Sequence, residues 1–558
     1  MKKILLIGLS AAVLFACVKE EYRLNDQFAV EGLDPSFALP LVSANLNLGD
    51  IEQEFDADNF IYNENEETFA LVYDGELFNL GPEDLQEIET QSFDLAYTLS
   101  APEAQAVNSV PSGTSVEIGQ TFDLSFASDQ GEALDSIVFS GGSLSLSLNS
   151  TIPHDVTLFI TIPELSESGV PFQEFIELDY PGFTPFSSDV SIDLTGFTLD
   201  LSQGGMTSNS FTLDIEGFVT STGETTEAGD EIAFDMELDV SQFQAIYGYF
   251  GQISVISSVD TQFVDLYRDL EDGILHFANP RINLDVFNSS GIPASVNVEG
   301  VFAPENAQDQ LLGGPDLNNF PTIAAATVPG ETALTEHSFT NAGTVPTLTE
   351  LLDEGPFELI YTSDISVNPD GFTNNFLLDT SRIVCDVEMI LPFYGFADNF
   401  SLTDTLDLDL ADALGVDDDD ILSWEDIERV TVRLIADNGL PIQVDGQVYF
   451  ADTLFNVVDS LFQEPWEAIF QQGFVDFSLP ENDPNFGRVL SPTRKITDVV
   501  LSRDQVQELL DGDVQKVILR GRANTNQAAN QELVRFYPEY NLGLKLSAKV
   551  DTDINTTE

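Results

Sequence analysis

"SLSLSLNSTIPHDVTLFITIP", residues 143–163, decides the fold. Leu144, Leu146 and Leu148 alternate with serines. After Asn149 to Pro153, Val156, Leu158, Ile160 and Ile162 resume the same period of two. Successive side chains of a strand point to opposite faces, so each half carries one apolar face to bury. Asn tolerates positive φ in the connecting turn, and Pro fixes φ after it. The scheme recurs in "RINLDVFNSSGIPASVNVEG" (281–300), with its turn from Asn288 to Pro293. It returns in "VTVRLIADNGLPIQVDGQVYF" (430–450), turning at Asn438 to Pro441, and more loosely in "RIVCDVEMILPFYGFADNFSL" (382–402). Irregular spacing argues against a tight solenoid, which keeps a fixed period. The pattern predicts a mainly β chain of several antiparallel β-sandwich modules with a few short helices.

The "NSxGIP" turn with its flanking strands resembles immunoglobulin-like modules of bacterial and plant stress proteins, which implies immunoglobulin-like sandwiches. Helix signals fall at "GPEDLQEIE" (81–89), at "DDDDILSWEDIERV" (417–430) and at "SRDQVQELLDGD" (502–513). The last has a capping box at Ser502 and Gln505 and a stop at Gly512. Polar stretches containing Pro or Gly at 100–115, 327–347 and 478–494 read as boundaries, as does the region near 255–262. The expected division is a signal peptide at 1–16 and a tether at 17–35, then an N-terminal β region at 36–115. Sandwich modules follow at 116–260 and 261–347, then a β module with a short helix at 348–480 and a basic β-helix-β segment at 481–558.

The chain opens with Lys2 and Lys3, an apolar run from Ile4 to Ala16, and then Cys17. A helix of that length, at ~1.5 Å per residue, falls short of a ~30 Å hydrocarbon core and reads as a secretory signal. Leu14-Phe15-Ala16-Cys17 resembles a bacterial lipobox, which implies acylation of Cys17 and a mature chain beginning there. Lys19, Glu20 and Glu21 resemble the Lys-acidic-acidic export signal of surface-exposed lipoproteins of Bacteroidota. The resemblance implies a lipid-anchored chain on the outer face of the outer membrane. Each buried acyl CH₂ contributes ~0.8 kcal/mol, so two or more chains hold firmly.

Among 558 residues, 19 Lys and Arg face 96 Asp and Glu, a net charge of −77. No Lys or Arg lies between Arg23 and Arg268, whereas ten of the 19 fall between Arg488 and Lys549. Such a surface repels nucleic acid, anionic lipid headgroups and acidic glycans, so no nucleic-acid partner is expected. In the cation-free half, carboxylates are expected to face water or metal ions, because burying an unpaired charge costs several kcal/mol. With Cys17 acylated, Cys385 has no disulfide partner and reads as a small buried apolar residue.

Dense chemistry is scarce in the sequence. His154, His276 and His337 have no metal-ligand spacing and read as surface or turn residues. Trp424 and Trp466 sit among apolar neighbours and read as core. Asp417, Asp418, Asp419 and Asp420, with Asp407, Asp409 and Asp412, concentrate carboxylates as a hard-cation site does, so calcium is the one cofactor entertained. Asp135-Ser136-Ile137, Asp404-Thr405-Leu406, Asp452-Thr453-Leu454 and Asp459-Ser460-Leu461 resemble the O-glycosylation tripeptide of Bacteroidota. The expectation is a non-enzymatic surface lipoprotein with an interaction or structural role, its partner an outer-membrane or extracellular protein. A glycan- or peptide-binding component of nutrient uptake is the alternative, and a glycoside hydrolase the third reading.

Overall fold

The computed structural model describes residues 36–552, apart from 48–59, 64–67, 87, 129–130, 257–259, 265–266, 268–269, 305–308, 408–426, 481–482 and 512–513. The chain is mainly β, and the pairs among its named strands are antiparallel. Its large sheets come in twos, making three sandwiches.

Sandwich I puts Phe186–Asp193, Ser143–Ser150, Glu231–Leu238 and Gln91–Thr98 against an eight-stranded sheet centred on Asp155–Glu167 and Ser210–Thr220. Phe93 of the first sheet meets Phe211 of the second edge to face, 5.6 Å between centroids. Sandwich II pairs the five-stranded sheet containing Thr68–Leu80, Ile383–Pro392 and Arg281–Asn288 with the one built on Pro356–Val367 and Ala294–Pro304. Leu284 and Val286 of the one share a core with Val296 and Ile365 of the other. Sandwich III has a terminal sheet in the order Ser36–Asn47, Asn541–Thr552, Ile427–Asn438, Thr493–Ser502. It faces a seven-stranded sheet whose spine is Leu270–Phe277, Tyr394–Asp407, Lys516–Thr525 and Ile442–Ala451. Ala436, Leu542 and Leu544 pack there with Phe470 and Val444.

The repeated turn is the arch joining the two sheets of each sandwich. Asn288 and Asn438 are fully buried. Each Oδ1 accepts the N–H two residues on, Ser290 at 2.9 Å and Leu440 at 2.8 Å. Each Nδ2 donates to the carbonyl four residues on, Ile292 at 2.8 Å and Ile442 at 2.7 Å, and to a passing segment, Ala324 or Gln471. In sandwich I the arch residue is Ser150, whose Oγ accepts from Ile152 N, while Asn149 is exposed in the strand before it. The turn expected around Asn149 therefore hangs on its neighbour. The looser fourth copy is no arch: Ile383–Pro392 belongs to sandwich II and Tyr394–Asp407 to sandwich III, so it is the joint between them.

The consecutive division expected from composition is corrected by strand pairing. The 115/116 boundary falls in the strand Ser115–Ser125, and 260/261 falls in Asp260–Phe263. Pairing of Arg281–Asn288 with Ile383–Pro392 spans 347/348, and pairing of Ile427–Asn438 with Asn541–Thr552 spans 480/481. The described chain visits sandwiches III, II, I, II, III, II, I, II and III in turn. Pairing partners far apart in sequence defeat any reading by local composition.

The helix Arg503–Asp511 forms where expected, its Ser502 N–H donating to Gln505 Oε1 at 3.1 Å. The 81–89 signal shrinks to Pro82–Leu85, and the end of the expected helix at 417–430 is strand from Ile427. The supposed linker at 100–115 holds a helix, Ala101–Ser109, closed by a box of Ser100 and Glu103.

Candidate functional site

The outer face of the seven-stranded sheet in sandwich III is polar because Val517 and Leu519 point into the core, which leaves Arg520 and Arg522 outward. Arg520 donates to Glu271 Oε2 at 2.6 Å, and Thr403 Oγ1 donates to Glu271 Oε1 at 2.6 Å. Burial acts to raise the Glu271 carboxyl, but these hydrogen bonds and the Arg520 charge outweigh it and hold it below its ordinary value. Arg522 donates to Asp445 Oδ2 at 2.8 Å, and Gln443 donates to the other oxygen at 2.6 Å. The Arg522 Nε, also buried, meets no acceptor among the described residues.

Across both guanidinium groups lies Trp466, its ring centroid 5.2 Å from Arg520 Cζ and 4.8 Å from Arg522 Cζ. Cation–π attraction favours that stacking. The loop carrying Trp466 is clamped by the buried Gln447, which donates to the carbonyls of Phe462 and Glu464, both at 2.8 Å. On the other side Lys495 donates to Glu467 Oε1 at 3.1 Å and to the Ala468 carbonyl.

The remaining wall is a distorted strand pair. Register shifts flank Asp272, where Leu270–Phe277 runs along Tyr394–Asp407. Gly273 has φ +95°, and a Cβ on it would meet the Asn399 carbonyl carbon and oxygen at 2.2 Å. Asn399 itself has φ +53°. Bulges of this kind re-aim side chains. Here Asp272, Asp398, Asn399, Ser401, Trp466 and both arginines line a cleft of about 470 Å³. That lies within the ~300–1,000 Å³ typical of small-molecule sites. A smaller cavity of about 100 Å³, apolar, sits between the sheets of the same sandwich beside Val432, Leu434 and Leu544.

Sequence reasoning placed Trp466 in the core, and the structure puts it in the wall of this polar cleft. Its neighbours in sequence are apolar, and the arginines that it covers lie more than fifty positions away. Cys17, Lys19, Glu20, Glu21, Trp424 and Asp417 to Asp420 lie outside the described residues, as do Asp409 and Asp412. Asp407 ends its strand paired with Lys516. Cys385 is wholly buried, and burial first, then Asp386 and Asp285, push its thiol up to about 12.

The histidines lie in three separate settings. His154 is wholly buried rather than on the surface, beside the arch of sandwich I. Thr222 N–H donates to its Nδ1 at 3.2 Å, and its Nε2 has no partner among the described residues. Burial lowers its pKa, against the pull of Asp155, Glu224 and Asp230. His276 stacks on Phe396 at 4.5 Å and meets Asp353, and His337 reaches the Asp316 carbonyl at 2.7 Å.

In the cation-free sandwich I, several carboxylates have partners that the sequence reading omitted. Asp193 accepts from Thr195 Oγ1 and N–H, Asp200 from Ser202 in the same way, and Asp214 from Thr121 Oγ1 at 2.6 Å. Serine and threonine hydroxyls take the place that Lys and Arg occupy elsewhere.

No family model matches the chain, and no curated protein matches it. Among solved structures, a protein of Parabacteroides distasonis, provisionally described as secreted, is 14% identical with a TM-score of 0.16. It covers 63% of this chain and 99% of its own. The PBSX exported protein XepA is 8% identical with a TM-score of 0.12, over 51% of this chain and 87% of its own. Likenesses at such scores carry no argument about function. Among the described residues, no helix is long and apolar enough to cross a membrane.

Proposed function

We propose that this protein is an outer-membrane, surface-exposed lipoprotein, acylated on Cys17, with a non-enzymatic binding role. Its cleft at Trp466 holds a segment of neutral glycan. The observation that carries this reading is the composition of the cleft. An indole face receives the apolar side of a sugar ring, while guanidinium donors and carboxylate and amide acceptors converge on hydroxyls. Four carboxylates (Glu271, Asp272, Asp398, Asp445) stand about two arginines there, so a neutral chain suits the site better than a uronate or sulfated one. A glycosidase acid needs a raised carboxyl. The Glu271 carboxyl is instead lowered, by the Thr403 hydrogen bond and then by Arg520, and the Cys385 thiol is sealed in the core.

Two experiments test this. Cys17→Ser is expected to move the protein from the membrane fraction to the soluble one, and continued membrane retention would contradict the anchor. Calorimetric titration with neutral and anionic oligosaccharides is expected to show binding of neutral chains, weakened at least about tenfold by Trp466→Ala. Release of reducing ends from those chains would replace the binding role with a hydrolase.

A further inference from the structure

The outer face of the terminal sheet carries an excess of cations in a chain of net charge −77. Strand alternation sends Val432, Leu434, Leu544 and Leu546 inward. Arg429, Arg433, Arg494, Lys545 and Lys549 therefore point outward, on three adjacent strands. Among the described residues three carboxylates pair with these cations, and the exposed Glu428 stands beside Arg429. Asp551 takes Arg429 and Lys549, each at 2.6 Å, Asp498 takes Arg433 at 2.6 Å, and Asp437 lies 3.6 Å from Arg494. Five cations against four carboxylates leave an excess of one among the described residues. Between them Ile496 and Val500 are each 51% exposed.

The position of this sheet in the chain adds a second argument. Its edge strand begins at Ser36, paired with Asp551, and residues 17–35 connect that strand to Cys17. Nineteen residues span at most roughly 65 Å, so the sheet lies within that reach of the acylated end.

We propose that this face docks on the anionic headgroups of the leaflet that holds the Cys17 acyl chains; the inference rests on the anchored reading above. Screening decides whether so acidic a protein can approach such a surface. The Debye length is ~8 Å at physiological salt, and facing sheets lie ~10 Å apart. Charges on the far sheet and beyond are therefore largely screened from the headgroups, while the basic face is not. The Trp466 cleft opens on the opposite side of the same sandwich, so docking turns it toward the medium.

The test uses the full chain carrying Cys17→Ser, which has no acyl group, with vesicles of phosphatidylcholine alone or mixed with phosphatidylglycerol. Binding is expected to be about tenfold tighter on the anionic vesicles and to fall with added salt. Lys545→Glu with Lys549→Glu reverses the face and is expected to abolish the preference. Arg382→Glu, on an exposed site of sandwich II, is expected to leave it unchanged. Lys545→Gln with Lys549→Gln, with an unaltered melting temperature, is expected to weaken the preference without misfolding. Equal binding to both vesicle types, or a preference that survives both paired substitutions, overturns the proposal. Failure of the anchor shows separately, as absence of acyl label on Cys17 in cells.

Discussion

Asn438 and Asn288 each hold an arch with one side chain, donating twice and accepting the N–H two residues on, and Asn288 also accepts from Ser290 Oγ. Asn438→Ala would leave the Ile442 and Gln471 carbonyls and the Leu440 N–H without those bonds. Each net hydrogen bond contributes ~1 kcal/mol, and an orphaned buried group costs ~1–3 kcal/mol. Urea unfolding is therefore expected to show a loss of about 2–4 kcal/mol, against about 1 kcal/mol for Ser150→Ala. Equal losses would contradict the arch account. His154 gives a pH signature at the same scale. Its folded pKa is lowered, so its neutral form adds stability above the unfolded value near 6.5. That stability is lost as pH falls below ~6.5, because the unfolded chain binds the proton first. His154→Leu is expected to flatten the melting temperature between about pH 6.5 and 5. An unchanged slope would place the titrating group elsewhere.

At the scale of elements, alternation made the strands legible, and the Asn-to-Pro turns marked the arches of sandwiches II and III. Two helices were legible only as caps. Thr347 and Glu350 form a reciprocal box before Leu348–Asp353, and Glu103 accepts from Ser100 N–H before Ala101–Ser109, a segment that looks like a linker by composition. The cleft was hidden for a different reason. Its bulge depends on Gly273 opposite Asn399, and its aromatic wall on Gln447 holding a loop fifteen residues on, none of which forms a sequence motif. Gly273→Ala is expected to lower the melting temperature and remove glycan binding together, because its Cβ overlaps backbone. Gln447→Leu is expected to weaken glycan binding while contacting no sugar. If either variant binds as wild type does, the cleft is not built as argued.

Across the whole molecule, charge and nesting act together. The −77 charge repels itself, and sandwich I has no Lys or Arg to offset it. Added salt is therefore expected to raise the melting temperature by several degrees, as the Debye length shortens from ~30 Å at 0.01 M to ~3 Å at 1 M. A flat response would mean that self-repulsion among the carboxylates costs the fold little. The extreme charge imbalance was plain in the sequence, whereas the nested path was not, because it rests on pairs such as Ser36 with Asp551.

The most direct measurement follows Trp466 itself. The chain has two tryptophans, so Trp424→Phe leaves Trp466 as the lone indole reporter. Titration with a neutral oligosaccharide should shift its emission saturably, with the same midpoint as calorimetry gives. Emission that stays constant while calorimetry registers binding would place the ligand elsewhere and contradict the account.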